Sequence, residues 1–156
     1  MEKWYAIKIT SGKETQVERM LREMGIEAMA PRYKLMERRK GRWREKEKFL
    51  LAGYVLIHAE MTATLWQRLK NMWYVLYILS GSIADGEIAY IKNVAELAQA
   101  SEIDYTGEYI TYRGGIACDV SKIRKVDKRK GRALVELELG GEKVQRWLPV
   151  KIVTST

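Results

Sequence analysis

The chain is poor in the residues that most often carry catalysis or hold metals. One cysteine, Cys118, cannot form an internal disulfide, and a single histidine, His58, leaves no Cys/His cluster for a metal. There is no Gly-rich phosphate loop and no nucleophile–base pair, so neither an enzyme nor a cofactor is expected. His58 has no acidic or nucleophilic partner in sequence reach, so a structural role is expected for it, and Cys118 has no CxxC partner, so no reactive role is expected there. No run approaches the ~18 apolar residues of a spanning helix, and Glu2 stands where a secretory leader would carry positive charge. The expectation is a cytoplasmic protein without a membrane role. Internal repeats and low-complexity tracts are absent too.

What is abundant is positive charge on a globular composition. The 156 residues are 47% apolar, enough for one medium domain or two small ones, and carry a net charge of +8. Residues 1–100 hold 17 basic against 12 acidic residues and residues 101–156 hold 11 against 8, so both halves are basic. A pI near 9.5 points to a polyanionic partner, nucleic acid or an anionic surface.

Along the chain, Tyr5, Ile7 and Ile9 alternate with Trp4, Ala6 and Lys8, which is strand periodicity. Ser11-Gly12-Lys13-Glu14 has the form of a capping box, followed by Val17, Met20, Leu21 and Met24 on one helix face, ending at Gly25. Residues 26–35 are expected to be extended and interrupted at Pro31. Glu37 to Lys48 carries seven basic residues (Arg38, Arg39, Lys40, Arg42, Arg44, Lys46, Lys48) around Gly41 and Trp43, and reads as a hairpin with its tip near Lys40-Gly41. Phe49 to Ile57 then reads as a central strand in which Gly53 marks a bulge or a close backbone approach. Thr62 caps a second helix through Leu65, Trp66 and Leu69, Trp73 to Leu79 is a strand, Ser80-Gly81-Ser82 and Asp85-Gly86 are loops, and residues 91–100 form a short amphipathic helix. After a polar linker at 101–107, the short runs 109–112, 122–127, 133–139 and 143–148, with Gly140-Gly141 as a two-residue turn, have the cadence of a small β-barrel.

Taken in order, Trp4-Tyr5, Ser11-Gly12-Lys13-Glu14, Pro31 and Leu51-Ala52-Gly53-Tyr54-Val55 resemble the N-terminal (NGN) domain of the NusG family of transcription elongation factors. The segment from Lys125-Val126-Asp127-Lys128-Arg129-Lys130-Gly131-Arg132-Ala133 through Val135-Glu136-Leu137 resembles that family's C-terminal KOW domain. The resemblance implies an α+β chain: residues 1–100 an antiparallel sheet flanked by helices, 101–107 a linker, and 108–156 a small all-β, SH3-like barrel. Within the family, Glu37-Arg38-Arg39-Lys40-Gly41-Arg42-Trp43 most resembles the LoaP-type paralogues, which are operon-specific antiterminators.

That resemblance implies docking on the clamp helices of the RNA polymerase β′ subunit, bridging toward the β subunit, and suppression of pausing. Trp4, Tyr5, Leu51, Gly53 and Tyr54 would form the polymerase-binding patch, and Asn71 and Met72 would fall at the contact with non-template DNA. Nucleic-acid contacts are expected from Arg38, Arg39, Lys40, Arg42, Trp43 and Arg44, and from Lys122, Arg124, Lys125, Lys128, Arg129, Lys130 and Arg132. A nascent leader RNA hairpin is the expected RNA partner, a ribosomal protein a further partner of the KOW domain, and the state monomeric. Three departures from the family pattern stand out: Leu51-Ala52 for Phe-Pro, Met72 for threonine, and Cys118 and Ser121 for KOW glycines. The competing reading is a general RNA-binding or ribosome-associated KOW protein.

Overall fold

The computed structural model describes residues 1–97, 102–106, 109–113 and 121–154. In chain order the elements are β1 (Lys3–Ile9), α1 (Glu14–Glu23), β2 (Glu27–Met29), β3 (Arg32–Arg39), β4 (Arg42–Phe49), β5 (Tyr54–Ala59), α2 (Ala63–Lys70), β6 (Val75–Ile78), α3 (Asp85–Leu97), β7 (Glu102–Thr106), β8 (Tyr109–Arg113), β9 (Ile123–Asp127), β10 (Arg132–Glu138), β11 (Lys143–Pro149) and β12 (Lys151–Thr154). They fall into two compact units. The first is Met1–Pro31, Leu51–Ile88 and Glu138–Val144, and the second is Arg32–Leu50, Ala89–Leu137 and Gln145–Thr156.

The first unit is built on an antiparallel sheet of order β2-β5-β1-β6. β1 shows why it lies at the centre: Ile7 and Ile9 on one face and Ala6 on the other are all fully buried, so both sides of the strand are covered. The register sets Ile7 against Val55 and Ala6 against Leu56, and these pairs form the middle of the core. Burying each aliphatic side chain of this size contributes about 1.5–3 kcal/mol. α1 supplies Val17 and Leu21 to the same core, and its Glu18 is buried as well. That carboxylate accepts from the Ala30 amide and pairs with Arg22 at 3.5 Å, while the Arg22 guanidinium donates twice to the Ala28 carbonyl. The helix is thereby tied to β2.

Four local expectations change. The capping box does not form: Lys13 is the N-cap residue of α1, with no side-chain cap bond. Glu14 is instead buried and accepts from the amides of Gly12 at 3.2 Å and Gly53 at 3.0 Å. A carboxylate taken out of water needs donors, and the turn before β5 provides one that the isolated helix lacks. The apolar stretch from Phe49 is likewise two elements, because β4 ends at Phe49 and a turn over 50–53 precedes β5. Gly53, at φ +88°, makes that turn, closed by Tyr54 N–H to Leu51 O at 2.9 Å; Ile9 N–H then donates to Gly53 O. Leu50 and Leu51 are apolar because they are buried, not because they are extended. Asp85-Gly86 begins α3 and is not a loop, its acidic first turn suiting the positive end of the helix. Residues 102–106, within the expected linker, form β7.

The Thr62 cap forms as expected, accepting from the Leu65 amide at 3.1 Å. In the first unit, Gly140 and Gly141 make the β10–β11 turn at φ +65° and +103°, with Leu139 N–H donating to Glu142 O.

The second unit contains the β3–β4 ribbon and much of the C-terminal all-β region. Lys40 (φ +52°) and Gly41 (φ +75°) form the ribbon's tip, the left-handed pair that a tight two-residue hairpin requires. The C-terminal strands form two three-stranded sheets, β11-β10-β9 and β12-β7-β8, in which β12 runs parallel to β7. Ala133, Val135 and Leu137 make the buried side of β10, as their alternation predicts. This is the expected α+β architecture, an antiparallel sheet with helices followed by an all-β region. Cys118 and the rest of 114–120 lie outside the described residues; Ser121 begins a short helical turn before β9.

Candidate functional site

Two surfaces gather the residues expected to act. The first is the β3–β4 ribbon, where every residue from Arg38 to Lys48 is exposed and Trp43 is 64% accessible. The strand register pairs Arg39 with Arg42, Arg38 with Trp43 and Glu37 with Arg44. Near its base the ribbon is internally neutralised, by Lys34–Glu45 at 3.3 Å and Arg32–Glu47 at 3.5 Å. Arg32 also lies over the Phe49 ring, 5.0 Å from its centroid. Toward the tip, Arg39, Lys40 and Arg44 line a cavity of about 300 Å³. Three convergent cations around open space are suited to an anion such as a phosphate group.

The second surface is one face of the first unit's sheet. Trp4 is 7% exposed and stacks on His58 with ring centroids 4.9 Å apart. His58 Nδ1 lies 3.0 Å from Glu27 and 3.7 Å from Glu2, so it does have acidic partners. The β2–β5 register brings Glu27 opposite His58 across 31 residues, which no local reading could supply. Tyr5 projects to the opposite face from Trp4, as strand alternation demands, and is half-buried. Leu51 is 1% exposed, Gly53 is buried and Tyr54 is 7% exposed. The structure thus brings Trp4 and Tyr54 to one face, places Gly53 and Leu51 in the adjoining turn, and separates Tyr5 from them.

Around Tyr54 sit groups that sequence reasoning missed. Lys8 Nζ lies 4.4 Å from the Tyr54 ring centroid, and the register sets Lys8 between Tyr54 and Tyr77 on one face. Both phenols donate to Glu142, Tyr54 to one carboxylate oxygen and Tyr77 to the other, each at 3.3 Å. The Tyr77 hydroxyl is held above its ordinary pKa by desolvation first and by the Glu142 charge and hydrogen bond second. Only the 1:1 alternation of β1 and β6 hinted at this cluster. Asn71 is the exposed C-cap of α2, Met72 is half-buried, and Trp73 beside them is 77% exposed.

The basic residues of the C-terminal region behave differently from one another. Arg124 is held by Glu136 at 2.8 Å and by the Ser121 carbonyl at 2.7 Å. Arg132 lies 4.5 Å from the Trp147 ring centroid and 3.7 Å from Asp127, and Lys122 lies 5.3 Å from the Tyr90 ring centroid. Lys125, Lys128, Arg129 and Lys130 are exposed, and the Lys130 amide bonds Asp127 to close the β9–β10 turn. Among the described residues no group of three His, Cys, Asp or Glu side chains is placed to hold a metal. No described helix is long and apolar enough to cross a membrane.

The fold and these surfaces define a class first: an α+β chain with an antiparallel sheet flanked by helices, a two-stranded cationic ribbon and an all-β C-terminal region. The chain belongs to the NusG family, whose model, described as transcription termination factor nusG, matches residues 2–96. It is 28% identical to the transcription termination/antitermination protein NusG of Buchnera aphidicola, over 90% of this chain and 88% of that protein. It is 26% identical to the protein of the same name from Rickettsia typhi, over 91% and 84%. The solved structure described as "Domain interaction in Thermotoga maritima NusG" superposes with a TM-score of 0.53 at 15% identity, covering 96% of this chain and 94% of that one, a likeness of fold.

Proposed function

We propose that this protein is a non-enzymatic transcription elongation and antitermination factor. It docks on the β′ clamp helices of RNA polymerase through the sheet face around Trp4 and Tyr54, reaches toward the β subunit, and holds nucleic acid on its basic surfaces. The observation that carries this reading is the family match over residues 2–96. Its termination/antitermination relatives align over 90% and 91% of the chain. The exposed cationic ribbon supports the LoaP-type assignment, with a leader RNA hairpin as ligand and operon-specific read-through as outcome. On this reading 1–100 is the NGN domain and 108–156 the KOW domain, and the protein works as a cytoplasmic monomer. Asn71 and Met72 face non-template DNA.

The test pairs binding of the purified protein to a β′ clamp-helix fragment with read-through of a terminator in vitro. Failure in both sinks the proposal. A second reading, a general RNA-binding or ribosome-associated KOW protein, is favoured by the exposed Lys125 on β9 and Arg129 and Lys130 at the β9–β10 turn. Recovery of ribosomal subunits without polymerase in a pull-down would select it.

A further inference from the structure

The β3–β4 ribbon has two chemically different faces. Residues opposite one another in an antiparallel pair project to the same side, and the side alternates along each strand. The register sets Arg39 against Arg42, Glu37 against Arg44, Leu35 against Lys46 and Tyr33 against Lys48, so Arg39, Arg42, Arg44, Lys46 and Lys48 share one face. The other face carries Arg32, Lys34, Arg38, Trp43, Glu45, Glu47 and Phe49. There the acids are matched to bases, Glu45 with Lys34 and Glu47 with Arg32.

On the first face, β4 places a cation at every second residue for four positions, a repeat of about 6.8 Å along the strand. Like charges directly opposite each other, as Arg39 and Arg42 are, destabilise a hairpin. The cavity lined by Arg39, Lys40 and Arg44 lies at this concentration of charge. Just across the tip, on the other face beside Arg38, stands the exposed indole of Trp43. The tip itself is only the Lys40-Gly41 pair.

From this we infer that the ribbon is a two-sided clip for an unpaired nucleic-acid strand. Successive phosphates lie along Arg39, Arg42 and Arg44 with Lys40 at the bend, and one base passes the tip to stack on Trp43. A paired base keeps its ring faces inside the duplex, so an aromatic platform of this kind selects unpaired strand. This deepens the nucleic-acid part of the function proposed above and rests on it: of a leader hairpin the clip takes the unpaired loop, not the stem. RNA and DNA strands share the chemistry, and the assay separates them.

The experiment uses the full chain and fluorescence anisotropy with labelled single-stranded RNA, single-stranded DNA and the matching duplexes, titrated between about 50 and 200 mM salt. Single strands are expected to bind at least about 10-fold tighter than duplexes. The double variant Arg39→Gln/Arg44→Gln should flatten the salt dependence by about 1.4, at roughly 0.7 per lost phosphate contact on a single strand. Trp43→Ala should weaken binding by about 5- to 100-fold with an unchanged salt slope, and Trp43→Phe should restore most of it. The Trp43→Ala loss should vanish on a strand that is abasic throughout. Preference for RNA or for DNA identifies the natural strand, and equal binding means the shared backbone and ring faces are what is read. Duplex bound as tightly as single strand, or Trp43→Ala without effect on either, overturns the clip. If polymerase-fragment binding and read-through persist in that case, the clip alone has failed; if they are lost as well, so has the broader reading. Circular dichroism and urea midpoints check that these exposed variants remain folded.

Discussion

Replacing Glu14 by alanine removes a side chain that ties the start of α1 to the turn before β5. Its carboxylate accepts from Gly12 N–H and Gly53 N–H, and it is 2% exposed. The two donors are not equivalent. Gly12 is exposed, so water takes over its amide at little cost, whereas Gly53 is buried and its amide would be left without that acceptor. An orphaned buried N–H costs about 1–3 kcal/mol. The lost methylene adds about 0.8 kcal/mol of burial. The expected destabilisation is therefore about 2–4 kcal/mol, read as a lower urea midpoint at constant slope. For a chain of this size that corresponds to a fall in Tm of roughly 5–15 °C. The decisive companion is Ser11→Ala. Were the capping box present, losing its hydroxyl would cost about 1 kcal/mol; without it the effect should stay within about 0.5 kcal/mol. Glu14→Ala costing less than about 0.5 kcal/mol while Ser11→Ala costs about 1 would refute the reasoning. Hydrogen exchange gives a local check, since the Gly53 amide should lose protection in Glu14→Ala beyond the global change.

Three further outcomes follow from the same structure. Gly53→Ala forces a side chain into φ +88° with its Cβ 2.7 Å from Lys8 Nζ. The lysine end can move but the backbone cannot, so about 1–2 kcal/mol should be lost in urea unfolding. Thr62→Ala removes the bond to the Leu65 amide and should cost about 1 kcal/mol, with lower helicity by circular dichroism. The phenol of Tyr77 titrates above its ordinary value, so above about pH 10 the unfolded chain releases that proton while the native state keeps it. Stability should consequently fall as pH rises through that range, and Tyr77→Phe should fall less steeply than wild type in urea midpoints compared on either side of it. Tyr33, raised by burial alone, leaves a residual slope in the variant.

How much of this was legible in the sequence depends on the range of the contacts. β1, the body of α1, the Lys40-Gly41 tip and the Gly140-Gly141 turn rest on alternation, helical spacing or turn chemistry within a few residues, and each appears where local rules put it. The ribbon was legible for the same reason, since a two-stranded hairpin carries its own register. The apolar stretch from Phe49 was misread because hydrophobicity reports burial and not extension: Leu50 and Leu51 are buried inside a turn. The partners of His58 and the tyrosine pair on Glu142 stayed hidden because they depend on register across 31, 65 and 88 residues.

Glu14 shows how one residue satisfies a local motif and a distant demand that compete. Its place three residues after Ser11 fits a cap, and the cap would satisfy an amide that water can reach anyway. The Gly53 amide is buried and has no such recourse, so the larger penalty decides where the carboxylate goes. The consequence bears on the proposed docking turn. The geometry of this turn rests on the left-handed Gly53, the Tyr54 N–H to Leu51 O bond, and the Glu14 carboxylate. Part of what holds this turn is thereby supplied by the first residue of a helix 39 positions away.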